Sequence, residues 1–192
     1  MKSGLNYKLS ELAQLKIHFI GVGGAGMSGI ARIMLAKGFS VSGSDKNDSP
    51  LLTSLKALGA RIEVGHKEEN LGDAQLVIIS AAIREDNPEL ALARKKMIPV
   101  AARAQSLAWL MSESTSIAVA GTHGKTTTTS ILGHLLKECN VEMTAFLGGI
   151  SENYNSNLIQ NGSKVSVVEA DEFDRSFLTL SPDYACITSM DA

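Results

Sequence analysis

Cysteine, aromatic residues and surplus charge are all scarce in this sequence. Its 192 residues carry a formal net charge of −2 and show no concentrated basic patch, which argues against binding to nucleic acid or to a membrane surface. No hydrophobic run approaches the length of a membrane span, and the polar start of the chain lacks the apolar segment of a signal peptide. These absences favour a cytoplasmic protein that binds neither nucleic acid nor membranes.

The two cysteines, Cys139 and Cys186, lack the spacing of a metal-binding motif. Cys139 falls in a predicted helix and Cys186 in a predicted buried strand, so we expect both to be reduced residues of the core. The apolar content of 44% is typical of a globular protein with a substantial core.

Short apolar runs alternate with helical patterns in the first part of the chain. Strands are predicted at 16–22, 39–45, 60–65, 74–80 and 97–102, with helices between most of them. The run AQLVIIS at 74–80 is uninterrupted, as is typical of parallel strands covered on both faces. The alternation predicts an α/β fold with a Rossmann-like parallel sheet in an N-terminal domain of residues 1–112.

The polar stretch MSESTS at 111–116 predicts a linker, after which a new series begins. A strand, a glycine loop and a helix at 126–139 precede predicted strands at 141–149, 164–171 and 184–189, with a polar loop at 151–157. This pattern predicts the start of a P-loop ATPase-type central domain in residues 113–192. We expect this domain to be truncated, because P-loop domains usually have more strands.

A first glycine loop, IGVGGAGMSG, follows the first predicted strand. Gly21, Gly23 and Gly26 match the G-x-G-x-x-G pattern, and Asp45 ends the second predicted strand about 20 residues further on, where a ribose-binding acid is expected. Alone, this pattern predicts a nicotinamide-binding protein.

A second glycine loop, GTHGKTT, stands between a predicted strand and a predicted helix. Val119 replaces the first glycine of the strict G-x-x-x-x-G-K-[ST] motif. The backbone N–H groups from Gly121 through Thr126 can still converge on an anion at a helix N-terminus. Lys125 adds a positive charge for the phosphates, and the Thr126 hydroxyl can bind Mg²⁺. The alternative is a glycine-rich turn with a helix-capping threonine.

An acidic cluster supplies the carboxylate that a Mg–ATP site also needs. The strand in VSVVEADEFD delivers Glu169 and Asp171 to the edge of the sheet that carries the second loop. Acidic residues after a strand are often only solvated, but beside a phosphate loop they favour a metal site.

Together these motifs resemble those of the Mur ligases, in the same order and over essentially the whole chain. GTHGKT is similar to the motif of the wider family, whereas GVGGAGMSG combined with EADEFDRSFL resembles the member that adds L-alanine. The resemblance implies that the first domain binds a UDP-sugar and the second binds Mg–ATP. Two phosphate loops would then serve two phosphorylated ligands.

The resemblance also implies which residues bind each ligand. ATP is assigned to the second loop, with Lys125, His123 and Glu169 as catalytic residues and with Thr126 and Glu169 holding Mg²⁺. Both assigned histidines have an alternative. His66, assigned to the UDP-sugar, could equally be an ordinary histidine of a loop, and His123 could stand at a loop position whose residue simply varies. The residues assigned to the UDP-sugar are Gly23, Gly24, Ala25, Gly26, Met27, Ser44, Asp45 and His66, and those assigned to ATP are Gly121, Thr122, His123, Gly124, Lys125, Thr126 and Thr127.

The implied reaction joins L-alanine to the lactyl carboxylate of UDP-N-acetylmuramate through an acyl phosphate made from ATP. Related ligases often have Asn-Gly-Gly where this chain has Leu147-Gly148-Gly149, so a contact made by that asparagine would come from elsewhere. A metal-binding histidine and a C-terminal domain are expected beyond Ala192. We therefore expect this chain alone to bind the UDP-sugar weakly and to catalyse no ligation.

Three alternatives remain from the sequence. A sister ligase that attaches a murein tripeptide to the same UDP-sugar would share both nucleotide sites, although the first loop disfavours it. An NAD-dependent oxidoreductase leaves the second loop unexplained and lacks an evident acid–base pair for hydride transfer. A non-catalytic nucleotide-binding module is the third.

Overall fold

A computed structural model describes residues 5, 7–170 and 179–190. The chain forms two compact units, Met1–Ser106 and Leu107–Ala192. The division falls inside a helix, and the domain boundary predicted after residue 112 stays a prediction. Within the described part of the chain, every helix is too short or too polar to cross a membrane.

The first unit is built on a parallel five-stranded sheet in the order β3-β2-β1-β4-β5. This arrangement is the core of the doubly wound dinucleotide-binding fold and confirms the predicted Rossmann-like architecture. Its strands are β1 (Lys16–Ile20), β2 (Ser40–Asp45), β3 (Arg61–Val64), β4 (Leu76–Ile79) and β5 (Val100–Ala102). Its helices are α1 (Leu9–Leu12), α2 (Ala25–Ala36), α3 (Pro50–Ala57), α4 (Pro88–Lys95) and a 3₁₀ turn at Glu68–Leu71.

The burial pattern explains why β1 and β4 occupy the middle of this sheet. Ile17, Phe19 and Ile20 in β1 are fully buried, as are the apolar residues that begin β4. Helices cover both faces of a doubly wound sheet, so its central strands are hydrophobic on both sides. Asn87 fixes the start of α4, because its side chain accepts hydrogen bonds from the N–H groups of Glu89 and Leu90.

The second unit has a five-stranded sheet in the order β10-β6-β9-β7-β8. All neighbours are parallel except β7 and β8, which form an antiparallel hairpin. Its strands are β6 (Thr115–Ala120), β7 (Met143–Ser151), β8 (Ser156–Gln160), β9 (Val165–Glu169) and β10 (Tyr184–Ile187). The helix α5 (Arg103–Met111) crosses the division between the units, and α6 (Lys125–Glu138) follows β6.

Two local predictions are wrong, and one helix was missed. The predicted linker at 111–116 is shorter, because Met111 ends α5 and Thr115 already begins β6. The range predicted as a polar loop, 151–157, includes the first two residues of β8. The central residues of this strand are buried, and the strand pairs with β7. The helix α5 was not predicted, because it follows β5 directly and no separate capping residue marks its start.

The expectation that both cysteines are core residues is also wrong. Cys139 and Cys186 are exposed free thiols. Cys139 is the cap residue that directly follows the last residue of α6. Cys186 lies in β10, an edge strand of the described sheet whose four residues are all exposed.

Gly133 allows α6 to pack closely on the second sheet. A Cβ added there would lie 2.9 Å from Cβ of Ala145 and 3.2 Å from Cδ1 of Ile159. A helical glycine normally costs about 1 kcal/mol relative to alanine. We infer that the close approach of helix and sheet outweighs this cost.

We predict that Gly133→Ala destabilises the second unit. Overpacking costs about 1–3 kcal/mol, which should exceed the gain of about 1 kcal/mol in helix propensity. Urea unfolding followed by fluorescence of Trp109, the single tryptophan, measures the change in the second unit. The control Leu135→Ala alters an exposed position of the same helix and should shift the free energy of unfolding by only about 0.5 kcal/mol. A more stable Gly133→Ala variant would contradict the packing interpretation.

Candidate functional sites

A cleft of about 740 Å³ lies at the carboxyl ends of β1, β2 and β4. The strand order reverses between β1 and β4, which is where open α/β sheets bind their ligands. Gly23, Gly24, Asp45 and His66 line this cleft, so the structure brings together several residues that the sequence analysis assigned to the UDP-sugar. The rest of the lining comes from the residues after β4, up to the first residue of α4: Ser80, Ala82, Ile83, Arg84, Asp86, Asn87 and Pro88.

The first glycine loop is held by β2. The N–H groups of Gly21 and Val22 donate to the carbonyl of Ser44 at 2.8 and 3.0 Å, and the N–H of Gly23 donates to Oδ2 of Asp45 at 2.8 Å. Gly21 has a φ of +82°, which favours glycine. A Cβ on Gly23 would lie 2.9 Å from Cγ of Asp45. Asp45 therefore shapes the loop as well as the wall of the cleft.

The loop leads directly into α2, whose first residues are Ala25, Gly26 and Met27. The N–H groups of a first helical turn have no acceptor within their own helix and attract anions. The side chain of Met27 is buried, so a ligand here would meet backbone. Gly26 leaves room for Arg103, since an added Cβ would lie 2.6 Å from its Nη1. No sequence motif singles out this arginine.

A buried carboxylate, Glu89, stands behind the cleft in the first turn of α4. Its Oε2 accepts from Nε2 of His18 at 2.9 Å and from the hydroxyl of Ser44 at 2.6 Å. Its Oε1 accepts from Nδ2 of Asn70 at 2.8 Å and from the N–H of Lys67 at 3.1 Å. The carboxylate thus joins β1, β2, the segment after β3 and α4. Sequence reasoning missed it, because a glutamate in a first helical turn ordinarily faces water.

Burial alone would raise the pKa of Glu89. The hydrogen bonds from His18, Ser44 and Asn70, together with the nearby His18 ring, outweigh burial and lower the pKa below its ordinary value. Glu89 is therefore ionised at neutral pH. A buried charge survives only when hydrogen bonds replace its water, and this carboxylate has such donors at both oxygens.

Ser44 was expected to contact the UDP-sugar, but it does not line the cleft. Its side chain is fully buried, and its hydroxyl binds Glu89 and lies 3.0 Å from Nδ1 of His66. His66 lines the cleft, whereas Ser44 does not. Ser44 is thus one step removed from the space that a ligand would fill.

The second glycine loop connects β6 to the start of α6. Gly121 has a φ of +130° and Gly124 a φ of +82°, so both need the conformational freedom of glycine. Lys125 is the first residue of α6, and its ammonium donates to the carbonyl of Gly121 at 2.6 Å. Thr126 and Thr127 follow in the same first turn. The strand, loop and helix predicted around this motif are confirmed.

Residues that follow β10 hold the second loop in place. The N–H of Thr122 donates to the carbonyl of Ser189 at 3.2 Å, and the N–H of His123 donates to the Ser189 hydroxyl at 3.0 Å. The hydroxyl of Thr188 donates to the carbonyl oxygens of His123 and Ala120. The amides from Gly121 to Thr126 therefore do not all converge on one point. Those of Thr122 and His123 bind Ser189, that of Gly121 directly follows β6, and those from Gly124 to Thr126 lie at the start of α6.

Thr126 and Glu169 meet at the carboxyl edge of the second sheet. The hydroxyl of Thr126 donates to Oε2 of Glu169 at 3.1 Å, and Oε1 of Glu169 accepts from the N–H of Gly148 at 2.6 Å. A Cβ on Gly148 would collide with the Glu169 carboxylate. The two residues assigned to Mg²⁺ are thus neighbours, although they stand far apart in the sequence.

Leu147, at the position where related ligases often have asparagine, is a core residue. It is buried among Val119, Met143 and Val167 and does not face the site. Gly148 and Gly149 lie beside Glu169 and Thr126. Asp171, the second member of the predicted acidic pair, and the Ser176–Phe177 segment lie outside the described residues.

Comparisons with known proteins identify the family of this chain. A family model described as the catalytic domain of the Mur ligase family matches residues 16–115, and one described as the Mur ligase middle domain matches residues 119–191. This chain belongs to the Mur ligase family. The resemblance inferred from the motifs is thereby confirmed.

Similar proteins include two UDP-N-acetylmuramate–L-alanine ligases. The one from Rubrobacter xylanophilus is 48% identical over 177 residues, and the one from Methylobacterium nodulans is 51% identical over 175 residues. These alignments cover 92% and 91% of this chain but 40% and 37% of the relatives, so the chain spans about two fifths of their length.

Solved structures give the same family. A UDP-N-acetylmuramate-alanine ligase from Thermotoga maritima is similar, with a TM-score of 0.80 and 38% identity over 92% of this chain and 42% of that one. A UDP-N-acetylmuramate:L-alanyl-gamma-D-glutamyl-meso-diaminopimelate ligase from Neisseria meningitides has a TM-score of 0.83 and 29% identity over 93% and 61%.

The lowered pKa of Glu89 predicts how the first unit responds to acid. A carboxyl whose pKa is lower in the folded than in the unfolded state stabilises the fold fully above its ordinary value of 4.5. That contribution is lost as the pH falls through the lower, folded value. Glu89→Gln cannot titrate, so we expect it to reduce stability at neutral pH and to flatten the decline in acid.

Urea unfolding followed by far-ultraviolet circular dichroism, from pH 7 to about pH 3, measures this difference. Glu63→Gln replaces an exposed carboxylate of the same unit and should leave both stability and its acid dependence nearly unchanged. Equal pH dependence in the wild type and in Glu89→Gln would contradict the prediction.

Proposed function

We propose that this chain is the UDP-sugar- and ATP-binding part of an ATP-dependent ligase of peptidoglycan synthesis, which joins L-alanine to the lactyl carboxylate of UDP-N-acetylmuramate. The observation that carries the proposal is the pair of glycine loops. Each follows a parallel strand and opens a helix, and in the second a lysine and a threonine hydroxyl begin that helix beside a carboxylate of a neighbouring strand. L-alanine ligases 48% and 51% identical to this chain support the choice of substrate.

The first loop would hold the pyrophosphate of the UDP-sugar. Backbone N–H groups from Gly23 to Met27 surround the start of α2, where the helix dipole favours an anion, although that of Gly23 already donates to Asp45. Asp45 and His66 line the cleft beside them and would contact the uridine end. We assign Ser44 an indirect part, through His66, because its hydroxyl is buried.

The second loop would hold the phosphates of ATP along Gly121–Thr127. The Lys125 ammonium has three donors, so it can keep its bond to Gly121 and still reach a phosphate oxygen. His123 lies within the loop, where we assign its imidazole to the γ-phosphate or the incoming carboxylate. These groups would position two anions for phosphoryl transfer and offset their repulsion.

The residues beside this loop suit a magnesium ion. The Thr126 hydroxyl and the Glu169 carboxylate are hard oxygen ligands 3.1 Å apart. No group of three or more His, Cys, Asp or Glu that could hold a metal occurs in the part of the chain that the structure describes. Mg²⁺ commonly takes one or two protein oxygens and completes its shell with phosphate and water, so the small donor set fits it. The ion would neutralise charge on the transferred phosphate.

A murein-peptide ligase is the second candidate. The structural similarity to the UDP-N-acetylmuramate:L-alanyl-gamma-D-glutamyl-meso-diaminopimelate ligase, with a TM-score of 0.83, is as high as that to the L-alanine ligase. The lower identity of 29%, against 38%, disfavours it. Assays of a protein that also contains the amino-acid site, with L-alanine and with the tripeptide, distinguish the two.

The proposal predicts that the chain binds UDP-N-acetylmuramate in preference to NADH. Isothermal titration calorimetry with each ligand measures this preference. Gly23→Ala should weaken binding of the UDP-sugar at least about tenfold, because the new Cβ displaces Asp45 and the loop it holds. Gly38→Ala is the control for general destabilisation, since Gly38 has a φ of +83°, an added Cβ there meets no atom within 4 Å, and the residue does not line the cleft. Tighter binding of NADH would overturn the assignment of the first cleft.

The proposal also predicts a magnesium-dependent ATP site. Lys125→Ala should weaken Mg–ATP binding by roughly 2–3 kcal/mol, as expected for the loss of a charge-assisted hydrogen bond. Glu169→Gln should reduce the magnesium dependence of that binding and have no effect on binding of the UDP-sugar. If Lys125→Ala leaves the affinity for Mg–ATP unchanged and Glu169→Gln leaves its magnesium dependence unchanged, the assignment is overturned.

We expect no L-alanine-dependent ADP release by this chain. A coupled assay with UDP-N-acetylmuramate, ATP and L-alanine measures it. Turnover would show that residues 1–192 suffice for the reaction and would refute the expectation that the amino-acid site lies elsewhere.

A further inference from the structure

The environment of His66 determines which of its ring nitrogens carries the proton. Nδ1 of His66 lies 3.0 Å from the Ser44 hydroxyl and 3.4 Å from Oε1 of Glu89. The serine has one proton, and it donates that proton to Oε2 of Glu89 at 2.6 Å. An ionised carboxylate can only accept. Both neighbours of Nδ1 therefore act as acceptors towards it, so Nδ1 carries hydrogen.

The other ring nitrogen of His66, Nε2, is available to a ligand in the cleft. His66 lines the cleft and its side chain is 17% exposed. No hydrogen bond joins Nε2 to another group within the range of residues that the structure describes. In a neutral ring with hydrogen on Nδ1, Nε2 has a lone pair and accepts hydrogen bonds.

We propose that Glu89 is a positioning residue that fixes the Nδ1–H tautomer of His66, so that Nε2 accepts a hydrogen bond from an N–H or O–H group of the bound nucleotide. The pyrophosphate has no such donor at neutral pH, whereas the uracil N3–H and the ribose hydroxyls are donors. His66 thus recognises the nucleoside end of the ligand. The identity of the ligand rests on the proposed function, but the tautomer does not.

His18 provides an internal reference for this tautomer. Its Nε2 lies 2.9 Å from the same Oε2 of Glu89, so Nε2 carries hydrogen in His18. Both rings contact one carboxylate, yet they hold their protons on opposite nitrogens. Any measurement that distinguishes the two tautomers should therefore show one histidine of each kind in this unit.

Two-bond ¹H–¹⁵N correlation spectra of the ligand-free wild-type chain, at a pH where both rings are neutral, test the first step. We expect Nδ1–H for His66 and Nε2–H for His18, assigned with His66→Asn and His18→Asn variants. An Nε2–H tautomer at His66 would overturn the inference without affecting the proposal that the cleft binds a UDP-sugar.

Substitutions then test whether Glu89 is the residue responsible. In Glu89→Gln the amide oxygen should keep the position of Oε1, where Lys67 and Asn70 donate, and the amide nitrogen takes that of Oε2. The Ser44 hydroxyl then accepts from this amide and can donate to Nδ1, its partner at 3.0 Å, so we expect a shift of His66 towards Nε2–H. Ser44→Ala should retain Nδ1–H, because Oε1 of Glu89 still accepts. Glu68→Gln changes an exposed carboxylate near His66 in sequence and should leave the tautomer unchanged. If Glu89→Gln is unfolded at neutral pH, the wild-type and Ser44→Ala spectra still decide, since loss of Nδ1–H in Ser44→Ala would assign the role to the serine instead.

Binding measurements connect the tautomer to recognition. Glu89→Gln should weaken binding of UDP about tenfold, the loss of roughly one hydrogen bond, and leave binding of inorganic pyrophosphate unchanged. UDP methylated at N3 and 2′-deoxy-UDP identify which donor is lost. Equal weakening of UDP and pyrophosphate would mean that Glu89 only supports the fold and would overturn the inference. Failure of the wild type to bind UDP at all would instead contradict the proposed function.

Discussion

Both candidate sites depend on the same constraint: a buried parallel strand must turn sharply at its carboxyl end and enter a helix. Gly21 and Gly121 make this turn with positive φ values, which side chains other than glycine rarely adopt. The turn leaves the first amides of a helix pointing at the edge of the sheet. Because all strands of the first sheet are parallel, residues from several strands reach the same edge. The anion binding proposed for each loop would thus be a consequence of how its unit folds.

The two edges differ in what surrounds the turn. In the first unit, the groups near the loop include Asp45, His66 and the start of α2, which suit the nucleotide proposed for this cleft. In the second unit, Lys125, Thr126 and Glu169 add charge and oxygen ligands. The side chains, rather than the fold, therefore separate the site proposed to hold the UDP-sugar from the site proposed to hold Mg–ATP.

Much of this organisation could be predicted from the sequence, because periodicity and turn residues are local. The strands that deliver Asp45 and Glu169, and the loops at Gly21 and Gly121, follow from apolar runs that end in glycine. The hairpin strand β8 could not be predicted, since its polar residues obscure the alternation and only β7 explains their burial. The exposure of Cys186 was also beyond prediction, because it depends on which strand forms an edge.

Glu89 shows most clearly what sequence reasoning cannot reach. Its contact with His18 joins residues 71 positions apart, and nothing in the local sequence distinguishes it from a surface glutamate. Its contacts come from three other segments, so their order in the sheet has to be known first. Long-range polar networks of this kind specify side-chain orientation more finely than hydrophobic patterns do.

The contacts of Thr188 and Ser189 with the second loop have a consequence for how the sequence can vary. These residues follow β10, yet they bind the backbone of Thr122 and His123. A side chain at Gly121 would strike Thr188, so neither segment can change its shape independently. Substitutions tolerated at 188–189 should therefore covary with those in the loop at 121–124, although more than sixty residues separate them along the chain.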